Sequence, residues 1–123
     1  MLRIFLFLIG SILLFWSGAQ AADRTLRLAP GERASIALKE NPSTGYSWRI
    51  DKGASSNLAI VRIEDGGFTR DGGDRKPPLV GAPGVHRWTV EALSKGRARI
   101  EFVYERPWER KPVERHRVNV DAR

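Results

Sequence analysis

From residue 26 onward the chain alternates between apolar and polar positions with a period of two. Leu26 and Leu28 flank Arg27, and Ala34, Ile36 and Leu38 alternate with Ser35, Ala37 and Lys39. Trp48 and Ile50 alternate with Ser47 and Arg49, and Leu58 to Ile63 forms a run rich in β-branched residues. Trp88, Val90 and Ala92 repeat the pattern. So do Ala98, Ile100, Phe102 and Tyr104, and finally His116, Val118 and Val120. A strand sends successive side chains to opposite faces, so each segment buries one face and wets the other. The pattern predicts seven strands and no helix in this part of the chain. Turn signals separate them, among them Ala29-Pro30-Gly31, Asp51-Lys52-Gly53 and Ser94-Lys95-Gly96. Asp65 to Pro78 is poor in hydrophobic residues and is expected to be the most mobile loop.

Seven short alternating strands in about 100 residues predict an all-β, immunoglobulin-like β-sandwich, with Trp48 on the third strand at a position such folds bury. If successive strands run up and down, alternate connections share an end. The second–third, fourth–fifth and sixth–seventh connections then lie together. These contain the three most unusual segments of the chain: Asn41-Pro42-Ser43-Thr44-Gly45-Tyr46, Gly81-Ala82-Pro83-Gly84 and Arg106-Pro107-Trp108. Loops gathered at one end of a rigid sandwich are a common recognition surface.

The first 21 residues follow a different rule. Met1 to Arg3 is a short positive start, Ile4 to Trp16 is apolar apart from Gly10 and Ser11, and Ala19-Gln20-Ala21 ends the segment with small residues. This layout is that of a secretory signal peptide, residues 1–21, with cleavage expected between Ala21 and Ala22. The apolar run is shorter than the roughly 20 residues a spanning helix needs, so no membrane attachment is expected after cleavage. Removing 21 residues from 123 leaves a single domain, 22–123, of 102 residues. The localisation expected is periplasmic or secreted.

Composition narrows the function. The chain has no cysteine, so the sandwich has no disulfide and thiol chemistry is excluded. Its net charge is +7, from 21 Lys and Arg against 14 Asp and Glu. Arginines are interleaved with glutamates, as in Glu105-Arg106 and Glu109-Arg110-Lys111. No basic run is interleaved with stacking aromatics, which argues against nucleic acid. There is no Gly-x-Ser-x-Gly elbow, and the two histidines, His86 and His116, fall on different strands without ligand spacing. His116 is expected to be a packed edge residue. No enzyme, metal or cofactor is expected, and no apolar oligomer face is evident, so a monomer is expected.

Each unusual loop has a physical character. Pro42 pushes Asn41 to extended backbone, the Asn41 side chain can bond the backbone two residues on, and Gly45 can take a positive φ. Ser43 and Thr44 are thereby presented on a stiff loop. Two glycines around Pro83 permit close backbone approach. Arg106 and Trp108 are of the types enriched in binding hot spots, and a tryptophan at a hairpin tip needs a cover.

Taken together the three segments resemble the chagasin-like inhibitors of papain-type cysteine proteases, peptidase inhibitor family I42. That family is marked by Asn-Pro-Thr-Thr-Gly-Tyr/Phe, Gly-x-Gly-Gly and Arg-Pro-Trp/Phe, in this order. Ser43 stands for the first Thr, the third motif is complete, and Pro83 occupies a position where the second motif has Gly. The resemblance implies a reversible, noncovalent inhibitor of a papain-like cysteine protease, its own or foreign. It further implies that Ser43, Thr44 and Gly45 enter the active-site cleft, while Gly81 to Gly84 and Arg106 to Trp108 brace them on either side. The alternative is an exported immunoglobulin-like module that binds a peptide, glycan or envelope protein.

Overall fold

The structure, a computed structural model, describes residues 20–71 and 83–123. The apolar segment from Ile4 to Trp16, the residues Gly81 and Ala82, and the stretch from residue 72 to Pro78 lie outside the described residues. Seven strands follow one another: β1 (Gln20–Leu28), β2 (Arg33–Glu40), β3 (Ser47–Ile50), β4 (Val61–Arg70), β5 (Gly84–Ala92), β6 (Gly96–Glu105) and β7 (Glu114–Ala122). They form two sheets, one ordered β1-β7-β6-β3 and the other β2-β5-β4. Both are held by side chains of the alternating positions. Phe102, Ile36, Ile100, Val90, Val118 and Val120 are sealed between the layers, and Trp48 and Trp88 are buried in the same core.

Strand directions obey the up-and-down rule. β1 pairs with β7 in parallel, whereas β7 with β6, β6 with β3, and β5 with both β2 and β4 pair antiparallel. The odd strands of each sheet therefore run one way and the even strands the other. The connections after β2, β4 and β6 leave from the same end.

Three expectations need correction. Leu58 to Ile63 is not one strand: Leu58–Ile60 form a 3-10 turn entered through Asn57 at φ 55, and β4 begins at Val61. The same strand runs on through Asp65-Gly66-Gly67, which were expected in the loop. A bulge between Asp65 and Gly67 absorbs these residues, with Gly67 at φ 81 and its N–H donating to Asp65 Oδ1 at 2.8 Å. Pairing with β5 satisfies backbone that composition alone marks as loop. His116 is not on an edge, since β7 lies between β1 and β6.

Alternation also missed part of the buried set. Glu101, Val103 and Glu105 face outward on β6 yet are buried. Arginines on the neighbouring strands cover them: Arg117 lies 3.0 Å and Arg115 3.9 Å from Glu101, and Arg49 donates to Glu105. Val103 sits between Arg49 and Arg115 in the ladder. Arginine stems serve here as an apolar cover with charged tips.

His116 gives a pH dependence. Burial, helped by the Arg24 charge and opposed by Asp23 and Glu101, holds its imidazole below the ordinary value of 6.5. On acidification the unfolded chain takes up this proton first, so stability present above 6.5 declines as pH falls toward the lower folded value. Thermal unfolding of the wild type and His116→Gln between about pH 7.5 and about pH 5 should show a shallower acid-side loss in the variant. Equal slopes would assign the loss to other groups.

Candidate functional site

The loop after β2 is built by its own sequence. Asn41 is extended at φ −126, and its Oδ1 accepts from Ser43 N at 3.3 Å and from Ser43 Oγ at 2.6 Å. Pro42–Thr44 make one 3-10 turn that Gly45 ends at φ 82, its N–H donating to the Pro42 carbonyl at 3.0 Å. Thr44 Oγ1 donates to the Asn41 carbonyl at 2.7 Å. Both tip hydroxyls are therefore spent inside the loop, while Pro42, Ser43 and Thr44 remain exposed. The tip offers shape rather than a nucleophile.

The loop after β6 braces the first. Arg106 Nε donates to the Thr44 carbonyl at 3.1 Å, its NH1 donates to Glu109 Oε1 at 3.0 Å, and its guanidinium carbon stands 4.5 Å from the centre of the Tyr46 ring. Its turn closes through Glu109 N and Arg110 N, which donate to the Arg106 carbonyl at 3.0 and 3.1 Å. Trp108 is 70% exposed. The far edge of its indole nevertheless lies over Gly45, where an added Cβ would stand 2.5 Å from Cη2. Glycine at 45 is thus required twice, for its positive φ and for the indole above it.

Below the tip, an aromatic column fixes the first loop to the sandwich. Tyr104 stacks on Trp48 with ring centres 4.9 Å apart and packs on Tyr46 at 5.4 Å, and its hydroxyl accepts from Asn41 N at 3.0 Å. Trp48 Nε1 donates to the Lys39 carbonyl at 2.8 Å, and Trp48 N donates to Glu40 Oε1 at 2.9 Å. Glu40 is 5% exposed, and its other oxygen lies 3.1 Å from His86 Nδ1. His86 Nε2 reaches Asp65 Oδ1 at 2.5 Å, and the ring lies 4.0 Å over Trp88. Burial tends to raise the Asp65 carboxyl. The His86 hydrogen bond, the Gly67 N–H and the His86 charge outweigh it, so Asp65 stays below its ordinary 3.8.

The third segment contributes differently. Pro83 is exposed and accepts at its carbonyl from Asp71 N at 3.0 Å. Gly84 is buried in β5 between Glu40 and Arg70, and a Cβ there would collide with the Thr69 carbonyl and the Phe68 ring. Its close backbone approach is to its own sheet. This pairing places the loop's exit beside Asn41.

Of the predicted site residues, Pro42, Ser43, Thr44, Pro83, Pro107 and Trp108 are exposed at one end, while Asn41, Gly45, Tyr46 and Arg106 are half-buried and form the frame. Glu40 and Tyr104 were missed as supports. A charged residue at the inward register after Ile36 and Leu38 was the available signal for Glu40.

An immunoglobulin-like sandwich carrying a stiff, braced wedge of loops at one end defines a blocking protein. The model described as chagasin family peptidase inhibitor I42 matches residues 27–121, and the chain belongs to that family. Its relatives include Amoebiasin-1 of Entamoeba histolytica (strain ATCC 30459 / HM-1:IMSS / ABRM), 30% identical over 86 residues, which span 70% of this chain and 76% of that protein. Chagasin of Trypanosoma cruzi is 33% identical over 86 residues, 68% of this chain and 74% of that one. Among solved structures, the cysteine protease inhibitor EhICP2 from Entamoeba histolytica superposes with a TM-score of 0.65 at 24% identity, over 86% of this chain and 96% of that one. PbICP-C, solved in complex with falcipain-2, gives 0.64 at 18% identity, over 89% and 95%. These two structural likenesses establish the shared fold. The family is one of inhibitors, not enzymes.

Proposed function

We propose that this protein is a reversible, noncovalent inhibitor of papain-like cysteine proteases that fills the active-site cleft with the loops after β2, β4 and β6. The observation that carries the reading is the Arg106 brace, which joins the Ser43–Thr44 tip to the loop bearing the exposed Trp108. A loop ordered before contact loses little entropy on binding. With its hydroxyls engaged internally, the tip has no nucleophile to offer and a backbone too stiff to settle into a cleavable pose. An interface of about 1,600 Å² in total is expected. The test is titration of the folded protein against papain and a cathepsin L-like enzyme with a peptide substrate. Full activity of both at micromolar inhibitor would sink the reading for those targets.

Gly45→Ala should weaken inhibition about tenfold and lower stability by about 1–2 kcal/mol, because a left-handed backbone acquires a Cβ that must displace Trp108. Inhibition within twofold of wild type would show that the Gly45–Trp108 contact is dispensable.

Export accompanies this reading. The mature chain starts at Ala22, which leaves β1 with the segment from Ala22 to Leu28 against β7. Intact mass of the protein recovered from the periplasm or medium checks this, and a mass retaining residues 1–21 would refute it.

A further inference from the structure

The loop after β6 has a second face, turned away from Thr44. Between it and β3, the edge strand of the four-stranded sheet, lies a notch of about 120 Å³ lined by Ser47, Arg49, Glu105, Pro107 and Arg110. Ser47 and Arg49 share the outward face of β3, opposite Glu105 and Val103. Arg49 engages Glu105 through Nε, and Glu105 Oε2 takes no hydrogen bond, so the terminal nitrogens of Arg49 are not bonded to that carboxylate. Arg110 is exposed and sits at φ 54, fixed by its N–H to the Arg106 carbonyl. Among the described residues its guanidinium has no ion-pair partner.

We propose that this notch receives a side-chain carboxylate from the rim of the target protease's cleft, and so makes the inhibitor prefer papain-like enzymes with an acidic residue on the lip that meets the loop after β6. The inference rests on the wedge reading above. Two guanidiniums against one carboxylate leave the notch with a formal charge of +1. An aspartate or glutamate brings it to neutrality, whereas a lysine or arginine raises it to +2. Guanidinium groups are shaped to take a carboxylate through paired N–H donors, and the Ser47 hydroxyl adds one more donor. Pro107 gives the notch a rigid wall and precedes Trp108 in the same loop. The loop's unusual backbone at Arg110 is what brings a second guanidinium there.

Arg110 is the position to test, since removing Arg49 would leave the buried Glu105 unpaired and perturb folding. Asn and Asp tolerate a positive φ, so Arg110→Asn and Arg110→Asp keep the turn while deleting or reversing the charge. Inhibition constants are measured for the wild type and both variants. The panel consists of papain-like proteases that do and do not carry Asp or Glu along the cleft lips. Against acidic-lip enzymes, Arg110→Asp should weaken inhibition at least about tenfold and Arg110→Asn about threefold, and both should stay within about twofold against the rest. Added salt should weaken the wild type more than Arg110→Asn on the acidic set alone. Melting temperatures should not move. Equal changes on both sets, or no change on either, would overturn the proposal. If the wild type inhibits no enzyme of the panel, the wedge reading fails first and this one falls with it.

Discussion

Trp108→Ala should weaken inhibition of a papain-like protease by about 2 kcal/mol or more, roughly 30-fold in the inhibition constant, with the melting temperature essentially unchanged. The indole is 70% exposed in the free protein, so truncation removes little buried area from the fold. It removes instead the most exposed large hydrophobic side chain among the described residues and uncovers Gly45. Hot-spot tryptophans act when a partner desolvates them, which is the situation a cleft wall provides. The measurement pairs an inhibition constant with a thermal melt. A drop of many degrees with inhibition preserved would make Trp108 a structural residue and remove the anchor from the proposed mode of binding.

Trp48→Ala should do the opposite and more. Loss of a buried aromatic at this position is expected to cost about 3–5 kcal/mol, a large share of the stability of a domain this size. For about 100 residues this lowers the melting temperature by at least about 12 °C. The substitution also frees the Lys39 carbonyl and removes the ring on which Tyr104 stacks. Tyr104 holds Asn41 N, so the tip loses its footing and inhibition should fall along with stability. The two tryptophans thus separate by readout: Trp108→Ala affects binding alone, Trp48→Ala affects folding and binding together. A Trp48→Ala protein melting within a few degrees of wild type would contradict the assigned core role.

How much of this was legible in advance varies with the kind of signal. Ile36, Trp88, Val90, Ile100 and Val118 announced themselves by alternation, because a half-buried strand imposes a period of two. Asn41, Pro42 and Gly45 announced a stiff turn, because their restrictions are local and need no partner. Strand parity then placed three loops at one end, and the pairing directions agree. By contrast, Asp65-Gly66-Gly67 looked like loop and is strand, since a bulge paired to β5 satisfies what composition cannot reveal. Glu101 and Glu105 looked like solvent-facing residues and are buried beneath arginines from other strands. No local pattern reports a cover that arrives from far along the chain.

The same division holds at the wedge. The sequence by itself determined the sandwich, the shape of the Asn41–Gly45 turn, the family and the end at which the unusual loops meet, because these follow from periodicity, backbone restriction and motif. The tertiary structure alone decided that Arg106 bonds Thr44, that Trp108 lies on Gly45, that Glu40 and Tyr104 anchor the tip, and that Arg49 and Arg110 share a notch. Thr44 and Arg106 are 62 residues apart, and Asn41 and Tyr104 are 63 apart. Contacts between residues so distant along the chain exist only once two sheets have packed and brought their loops together.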